Sequence, residues 1–246
     1  MPEFRGIADH AAAGCLVKPL ILQIFQDEDF PFQFDLHVER SGWRPPDGWF
    51  HASSHPMMSE RELYAYIAHP ELIEPEKMGY IGIMSTMFGT FMHEIMKAAL
   101  SQTKIWVPVP LGMCKACGRL QPDECNEHGV IDLETRSRGH MDGILNFGSL
   151  GTHGWDLKTA KSLALARCPD MDLKYFKEKW PGYYGQAQEY MRLSGLRKFI
   201  VSFIGVGNPW TMLEYHIEFD PMDALLVEQK YKRVLAAQQR GDTVVL

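Results

Sequence analysis

The 246-residue chain has no long apolar run free of charge, no excess of basic residues and little cysteine. Each absence excludes something. The most apolar window, "YIGIMSTMFGTFMHEIMKAAL", carries His93, Glu94 and Lys97, which fits a buried helix rather than a membrane span. The early "AAAGCLVKPLILQIF" is preceded by acidic residues and interrupted by Lys18, so no secretory leader is expected and a cytoplasmic location is. Lysine and arginine number 25 against 31 acidic residues, a net charge of −6. A basic footprint spread over the whole surface is therefore excluded, and any nucleic-acid contact must be a local patch. Five cysteines in such a compartment point to thiols or metal ligands rather than disulfides. Internal repeats and low-complexity tracts are missing as well.

What is present is an ordinary folding composition, 46% hydrophobic and 23% charged, with length enough for a substantial core. Residues 1–50, rich in Pro, Phe, Trp and Gly, read as an arm packed on a main domain spanning 51–246. Ser59 with Glu62 three residues later is a capping-box pattern that opens a short helix. A second helix is predicted over roughly 85–101, and strands over 104–109, 130–136, 140–147 and 153–159. "YYGQAQEYMRLSG" reads as a helix ended by Gly195, with Tyr184, Ala187 and Met191 as its buried stripe. "KFIVSFIGV" and "MLEYHIEF" form a strand meander. Asp220 and Pro221 then open a last helix buried along Ala224, Val227, Tyr231, Val234 and Leu235. Met84, Met87, Met92 and Met96 read as core packing. This order predicts an α/β fold with a central mixed β-sheet flanked by helices.

Four short motifs carry chemistry. In "GWDLKTA" (154–160), strand alternation puts Asp156 and Lys158 on one side and Trp155, Leu157 and Thr159 on the other. Their Cα atoms are then about 6.6 Å apart, within reach of a single ion, water or phosphate. Taken alone, the pair reads as a local ion pair on a solvated strand face. "RGHMDGIL" sets Asp142 in a strand three residues after Gly139, and "GTFMHEIM" sets His93 on a helix four residues after Gly89. Lys97 occupies the position where a second zinc-protease histidine would stand, which excludes that motif. Gln186 and Tyr190, four apart, are neighbours on one helix face.

In this order, Gly-x-x-x-His, Gly-x-x-Asp, Asp-x-Lys and Gln-x-x-x-Tyr, the chain resembles the PD-(D/E)XK nuclease superfamily in its RecB-like exonuclease branch. Within that branch it looks most like phage-encoded relatives of the CRISPR-associated RecB-like exonucleases. The resemblance covers roughly residues 50–205. It implies a restriction-endonuclease-like core and cleavage of DNA from its ends in recombination, repair or replication. Phosphodiester hydrolysis needs a nucleophile at neutral pH and neutralisation of developing charge, which Mg²⁺ or Mn²⁺ held by hard oxygen ligands supplies. Asp142 and Asp156 are the anionic ligands expected, and His93 as a nitrogen ligand favours Mn²⁺. The resemblance implies the backbone carbonyl of Leu157 as a further ligand. It also implies Gln186 and Tyr190 as the pair that orders the site and touches the DNA backbone. Lys158 is expected to orient the attacking water and stabilise negative charge. Lys161, Lys174, Lys177 and Lys179, with Arg136 and Arg138, form a basic set that could follow phosphates or simply be solvated surface. One departure stands out: relatives with an iron–sulfur cluster use one early and three late cysteines, whereas here only Cys15 is early and none follows Cys168. No helicase portion is expected.

"CKACGRLQPDECNEH" supplies Cys114, Cys117, Cys125 and His128 at spacing that suits a tetrahedral Zn²⁺ site. The surrounding insertion, 111–130, is too polar to bury a core of its own. A structural zinc ion, worth roughly 10–16 kcal/mol in small peptides, could order it. An iron–sulfur cluster on the same ligands is the alternative. Three readings stay open: an exonuclease, a structure-specific or nicking endonuclease on the same core, and a non-catalytic nucleic-acid-binding protein built on the zinc loop. Oligomerisation is compatible with each.

Overall fold

The computed structural model describes residues 16–17, 20, 46–73, 80–107, 130–168, 172–205 and 208–241. The elements follow in chain order as β1 (Phe50–His51), α1 (Glu60–Ala68), α2 (Tyr80–Ser101), β2 (Trp106–Val107), β3 (Val130–Asp132), β4 (Ser137–Gly139), β5 (Gly143–Asn146) and β6 (Thr152–Ala160). After these come α3 (Leu163–Ala166), α4 (Leu173–Lys179), α5 (Pro181–Ser194), β7 (Lys198–Gly205), β8 (Asn208–Glu218) and α6 (Pro221–Arg240).

Helix ends follow local chemistry. The Ser59 hydroxyl accepts from the Glu62 N–H at 3.2 Å while the Glu62 carboxylate accepts from the Ser59 N–H at 2.8 Å, closing the capping box at α1. Pro181 opens α5, and Gly195, at φ +77°, ends it in a left-handed turn that a side chain would strain. Asp220 accepts from the N–H groups of Met222 and Asp223 at the start of α6.

A five-stranded mixed sheet in the order β2-β5-β6-β7-β8 forms the centre. Only the β6–β7 pair is parallel, and helices α3–α5 make the crossover between them. Strand alternation sends Trp155, Leu157, Ile200 and Ile204 to one face, where Met92, Met96, Ala99 and Leu100 of α2 cover them together with Leu16, Val17 and Leu20. The opposite face carries Val201, Phe203 and Tyr215 against Phe176 of α4 and Ala187, Tyr190 and Met191 of α5. A third cluster joins α1 and α6 over Phe50, with Tyr231 stacked on its ring at 4.3 Å.

Four expectations change. Helix α2 begins at Tyr80, earlier than residue 85. The run 130–136 is not one strand: Asp132 accepts from the Glu134 N–H and the Thr135 hydroxyl, and this side-chain turn stops β3 and leads through Arg136 (φ 46°) into β4. Strands β1, β4 and β3 then form a separate three-stranded sheet, so the fold has two sheets rather than a single central one. Met87 is exposed, whereas Met92 and Met96 are buried as predicted. Cys114, Cys117, Cys125 and His128, with Cys15 and most of the 1–50 arm, lie outside the described residues.

Candidate active site

Strand β6 outruns its neighbour. Strand β5 begins at Gly143, opposite Trp155, whereas β6 stays paired with β7 as far as Ala160. Among the described residues, 156–160 of β6 therefore have a strand on one side only. Asp142, expected within a strand, instead stands at the bend just before β5. From there its carboxylate accepts the Leu157 N–H at 2.8 Å, taking the place of the missing strand partner. The N–H and C=O of one strand residue point to the same edge, so the Leu157 carbonyl faces this same opening.

His93 reaches the carboxylate from α2, with Nδ1 at 2.9 Å from Asp142 Oδ2. One turn earlier, Gly89 faces β6, where a Cβ would stand at ordinary contact distance, 3.4 Å, from the Thr159 hydroxyl. Asp156 and Lys158 lie in register with Val201 and Phe203, hence on the α5 face, and Lys158 Nζ is 2.5 Å from Asp156 Oδ2. This is a buried pair, Asp156 being 4% exposed, and not the solvated strand face that the short motif allowed.

Burial alone would raise the Asp142 carboxyl. The hydrogen bond and charge of His93, the Leu157 N–H and the Lys158 ammonium outweigh it and hold the group below the ordinary carboxylate range. Burial pushes Asp156 up to about 6, and the neighbouring Asp142 charge adds to that push against the opposing Lys158 and His93. For His93, burial would lower the ring, but the Asp142 hydrogen bond and the Asp142 and Asp156 charges leave it raised. Of these two neighbouring carboxylates, Asp142 is thus held ionised by its partners, whereas burial makes Asp156 the harder one to ionise.

Helix α5 closes the other side. Tyr190 donates to the His140 carbonyl at 2.6 Å and accepts from Gln186 Nε2 at 3.1 Å, and both side chains are buried. Gly139 makes room for this: a Cβ would come within 2.4 Å of the Tyr190 ring and 2.7 Å of Ala52 Cβ. Burial and the Asp156 and Asp142 charges raise the Tyr190 hydroxyl, so at neutral pH it stays a hydrogen-bond donor. Tyr183, one turn before Gln186, sets its ring 4.9 Å from Lys158 Nζ. The sequence reading passed over Tyr183, although Tyr183, Gln186 and Tyr190 at i, i+3 and i+7 share a helix face.

The basic set divides. Lys161 follows directly on β6 and is exposed, as is Lys174 on α4. Lys177 pairs with Asp223 at 2.5 Å, and Lys179 donates to the Arg167 carbonyl. Arg138 pairs with Asp47 and lies over the Trp49 ring, and Arg136 turns toward Gln238 of α6. Glu134 is tied to Lys232 at 2.6 Å.

Among the described residues, no three His, Cys, Asp or Glu side chains stand in a ready metal-holding group. The donors at β6 are nevertheless of the kind a hard divalent cation takes: the Asp142 and Asp156 carboxylates, the His93 imidazole beside Asp142, and the Leu157 carbonyl edge. Among the described residues no helix is long and apolar enough to cross a membrane.

The fold has solved counterparts. An alkaline exonuclease (LHK-Exo) from Laribacter hongkongensis shares the fold at a TM-score of 0.50, with 14% identity over 80% of this chain and 90% of its own. The same exonuclease in complex with dAMP matches at 0.50 and 14% over 79% and 89%. At this identity the likeness is one of fold. No family model matches the sequence, and no curated protein sequence does.

Proposed function

We propose that the chain is a metal-dependent deoxyribonuclease of the PD-(D/E)XK type that hydrolyses DNA from its ends. The observation that supports this reading is the Asp142 carboxylate held by His93 and the Leu157 N–H at the unpaired edge of β6, with the Asp156–Lys158 pair on the same strand. His93, Asp142, Asp156 and the Leu157 carbonyl would hold Mn²⁺ or Mg²⁺. When bound, that ion supplies a nucleophilic water at neutral pH and neutralises charge on the phosphate. Lys158, next to Asp156, orients the attacking water and stabilises the negative charge that develops on the phosphoryl oxygens. Gln186 and Tyr190, both buried, hold the loop that bears Asp142 through the His140 carbonyl. Lys161, just beyond β6, is suited to a phosphate contact.

The end-directed reading draws on the fold being that of an alkaline exonuclease solved with dAMP, and on the RecB-like motif order. The RecB-like branch, a phage origin and a role in recombination or repair belong to the same proposal. So does a structural Zn²⁺ on Cys114, Cys117, Cys125 and His128, tested by stoichiometric zinc in the purified protein that Cys117→Ser removes. The deciding experiment compares end-labelled linear DNA with closed circular DNA in Mn²⁺, Mg²⁺ or EDTA, beside Asp142→Ala. Metal-dependent loss of linear DNA alone, abolished by the substitution, is expected. Cutting of the circle overturns the end-directed reading, and no cleavage of either substrate overturns the nuclease.

A further inference from the structure

Lys158 is held from two sides. Asp156 Oδ2 lies 2.5 Å from its Nζ, and the Tyr183 ring centroid lies 4.9 Å away on the α5 side. An ammonium at that distance from an aromatic face is attracted by the negative face of the ring, more strongly as water is excluded. The Lys158 side chain is 17% exposed, so much of that water is gone.

Tyr183 is itself held in place. Trp180 stacks on it with centroids 5.4 Å apart and planes 22° from parallel, and Phe203 of β7 packs against both rings at 5.8 Å. Phe203 is the strand partner of Lys158. Lysine, tyrosine, tryptophan and phenylalanine thus form one packed unit in which the ring has little freedom to turn. Trp180 supplies it from the junction where α4 ends and α5 begins. Tyr183 shares its helix face with Gln186 and Tyr190, so the helix that braces Asp142 through Tyr190 also braces Lys158 through Tyr183.

We infer that Tyr183 is a positioning residue that fixes the Lys158 ammonium by its aromatic face, buttressed by Trp180 and Phe203. The role deepens the nuclease reading, since it matters for catalysis only if Lys158 acts there, but the contact can be read independently of cleavage. The ring is the essential part, so Tyr183→Phe keeps the function. Tyr183→Met fills similar space without a π-face and loses it.

The test has two arms. In the first, the ε-methylene resonances of Lys158 are assigned in isotope-labelled protein by their disappearance in Lys158→Arg. They are expected upfield of the other lysines through the ring current, unchanged in Tyr183→Phe and returned to the common lysine position in Tyr183→Met. Lys158 resonances at the common position in the wild-type chain overturn the inference, whether or not the chain cleaves DNA. In the second arm, Tyr183→Met lowers kcat about 10-fold with KM for DNA unchanged, the scale of a desolvated cation–π contact. Tyr183→Phe matches the wild type, and Tyr183→Met adds nothing in a Lys158→Ala background. An equal further loss in that background makes the ring's role merely structural and overturns the positioning role. Absence of cleavage by the wild-type chain overturns the nuclease reading instead and leaves the resonance arm to decide the contact.

Discussion

Two buried charge clusters flank α5, and they are built on opposite terms. On one side Arg192 makes five hydrogen bonds: two to Glu189, and one each to Asp132, Thr135 and Ser137. Burial would lower the guanidinium, but Glu189 and Asp132 raise it. Burial would raise the Asp132 carboxyl, but Arg192, Thr135 and the Glu134 N–H bring it down. Every charge there stabilises its partner. On the other side Asp142 and Asp156 crowd together, and Asp156 stays raised at about 6 even with Lys158 at 2.5 Å. A satisfied network ties the small sheet to α5. In the other, burial leaves the Asp156 carboxylate less well stabilised than its neighbours.

The sharpest way to break this comparison is to remove Lys158 from one cluster and Arg192 from the other. Lys158→Ala should cut the rate of DNA cleavage by about 10²–10³-fold, as loss of one transition-state donor does, while the unfolding midpoint moves little. Arg192→Met should do the reverse. It leaves Glu189 buried without its counter-charge and costs about 3–5 kcal/mol of stability. The folded fraction keeps its kcat within about threefold, because Arg192 touches no group of the site. Urea unfolding and single-turnover cleavage on the same two variants check both halves. Equal effects of the two substitutions on stability would sink the distinction.

The site was more legible than its surroundings because motif spacing reports on local geometry. Asp-x-Lys on a strand and Gln-x-x-x-Tyr on a helix share a face by the repeat of the element alone, and both pairs come together as the period requires. Spacing is silent about which strand ends early. Asp142 acts from a bend, because β5 begins one residue later and leaves Leu157 N–H open. The second sheet was missed because 130–139 alternates like a single strand, and only the Asp132 side-chain turn breaks it. The Arg192 network was hidden for a similar reason: Glu189 and Arg192 at helical spacing look like a surface pair until β3 and β4 fold over them.

A third way to bury a titratable group is to keep it neutral, and it gives the comparison a pH axis. Burial lowers His55 to about 4, and its Nδ1 accepts the His51 N–H at 2.6 Å, a bond that the neutral ring alone can make. A folded-state value below the unfolded 6.5 means that the unfolded chain binds the proton first. Stability from this group is whole above pH 6.5, falls as the pH drops to about 4, and is then lost by about 3 kcal/mol. Asp156 works against it: raised to about 6 from 3.8, it takes up its proton in the folded state first and adds stability over part of the same window. Urea midpoints at pH 7, 5.5 and 4 should fall less steeply in His55→Gln than in the wild type. An unchanged acid slope would mean that His55 is protonated in the folded chain.

The smallest effect is expected where the two clusters meet. Gly139 ends β4, the strand that carries Ser137 into the Arg192 network, and Tyr190 lies against it on the way to the His140 carbonyl. Its Cα hydrogen is the only substituent that fits, since a Cβ would stand 2.4 Å from the Tyr190 ring and 2.7 Å from Ala52. Gly139→Ala must push Tyr190 off its bond or move β4, at a cost of about 1–3 kcal/mol. The side that yields tells which cluster is stiffer. A five-bonded guanidinium resists displacement more than one tyrosine hydroxyl does, so Tyr190 should give way. Cleavage by the folded fraction should then fall roughly 10-fold, with Arg192 and its partners intact. Paired Tyr190→Phe and Gly139→Ala variants check this: non-additive losses in kcat place the damage at the Tyr190 hydroxyl, and additive losses place it in β4.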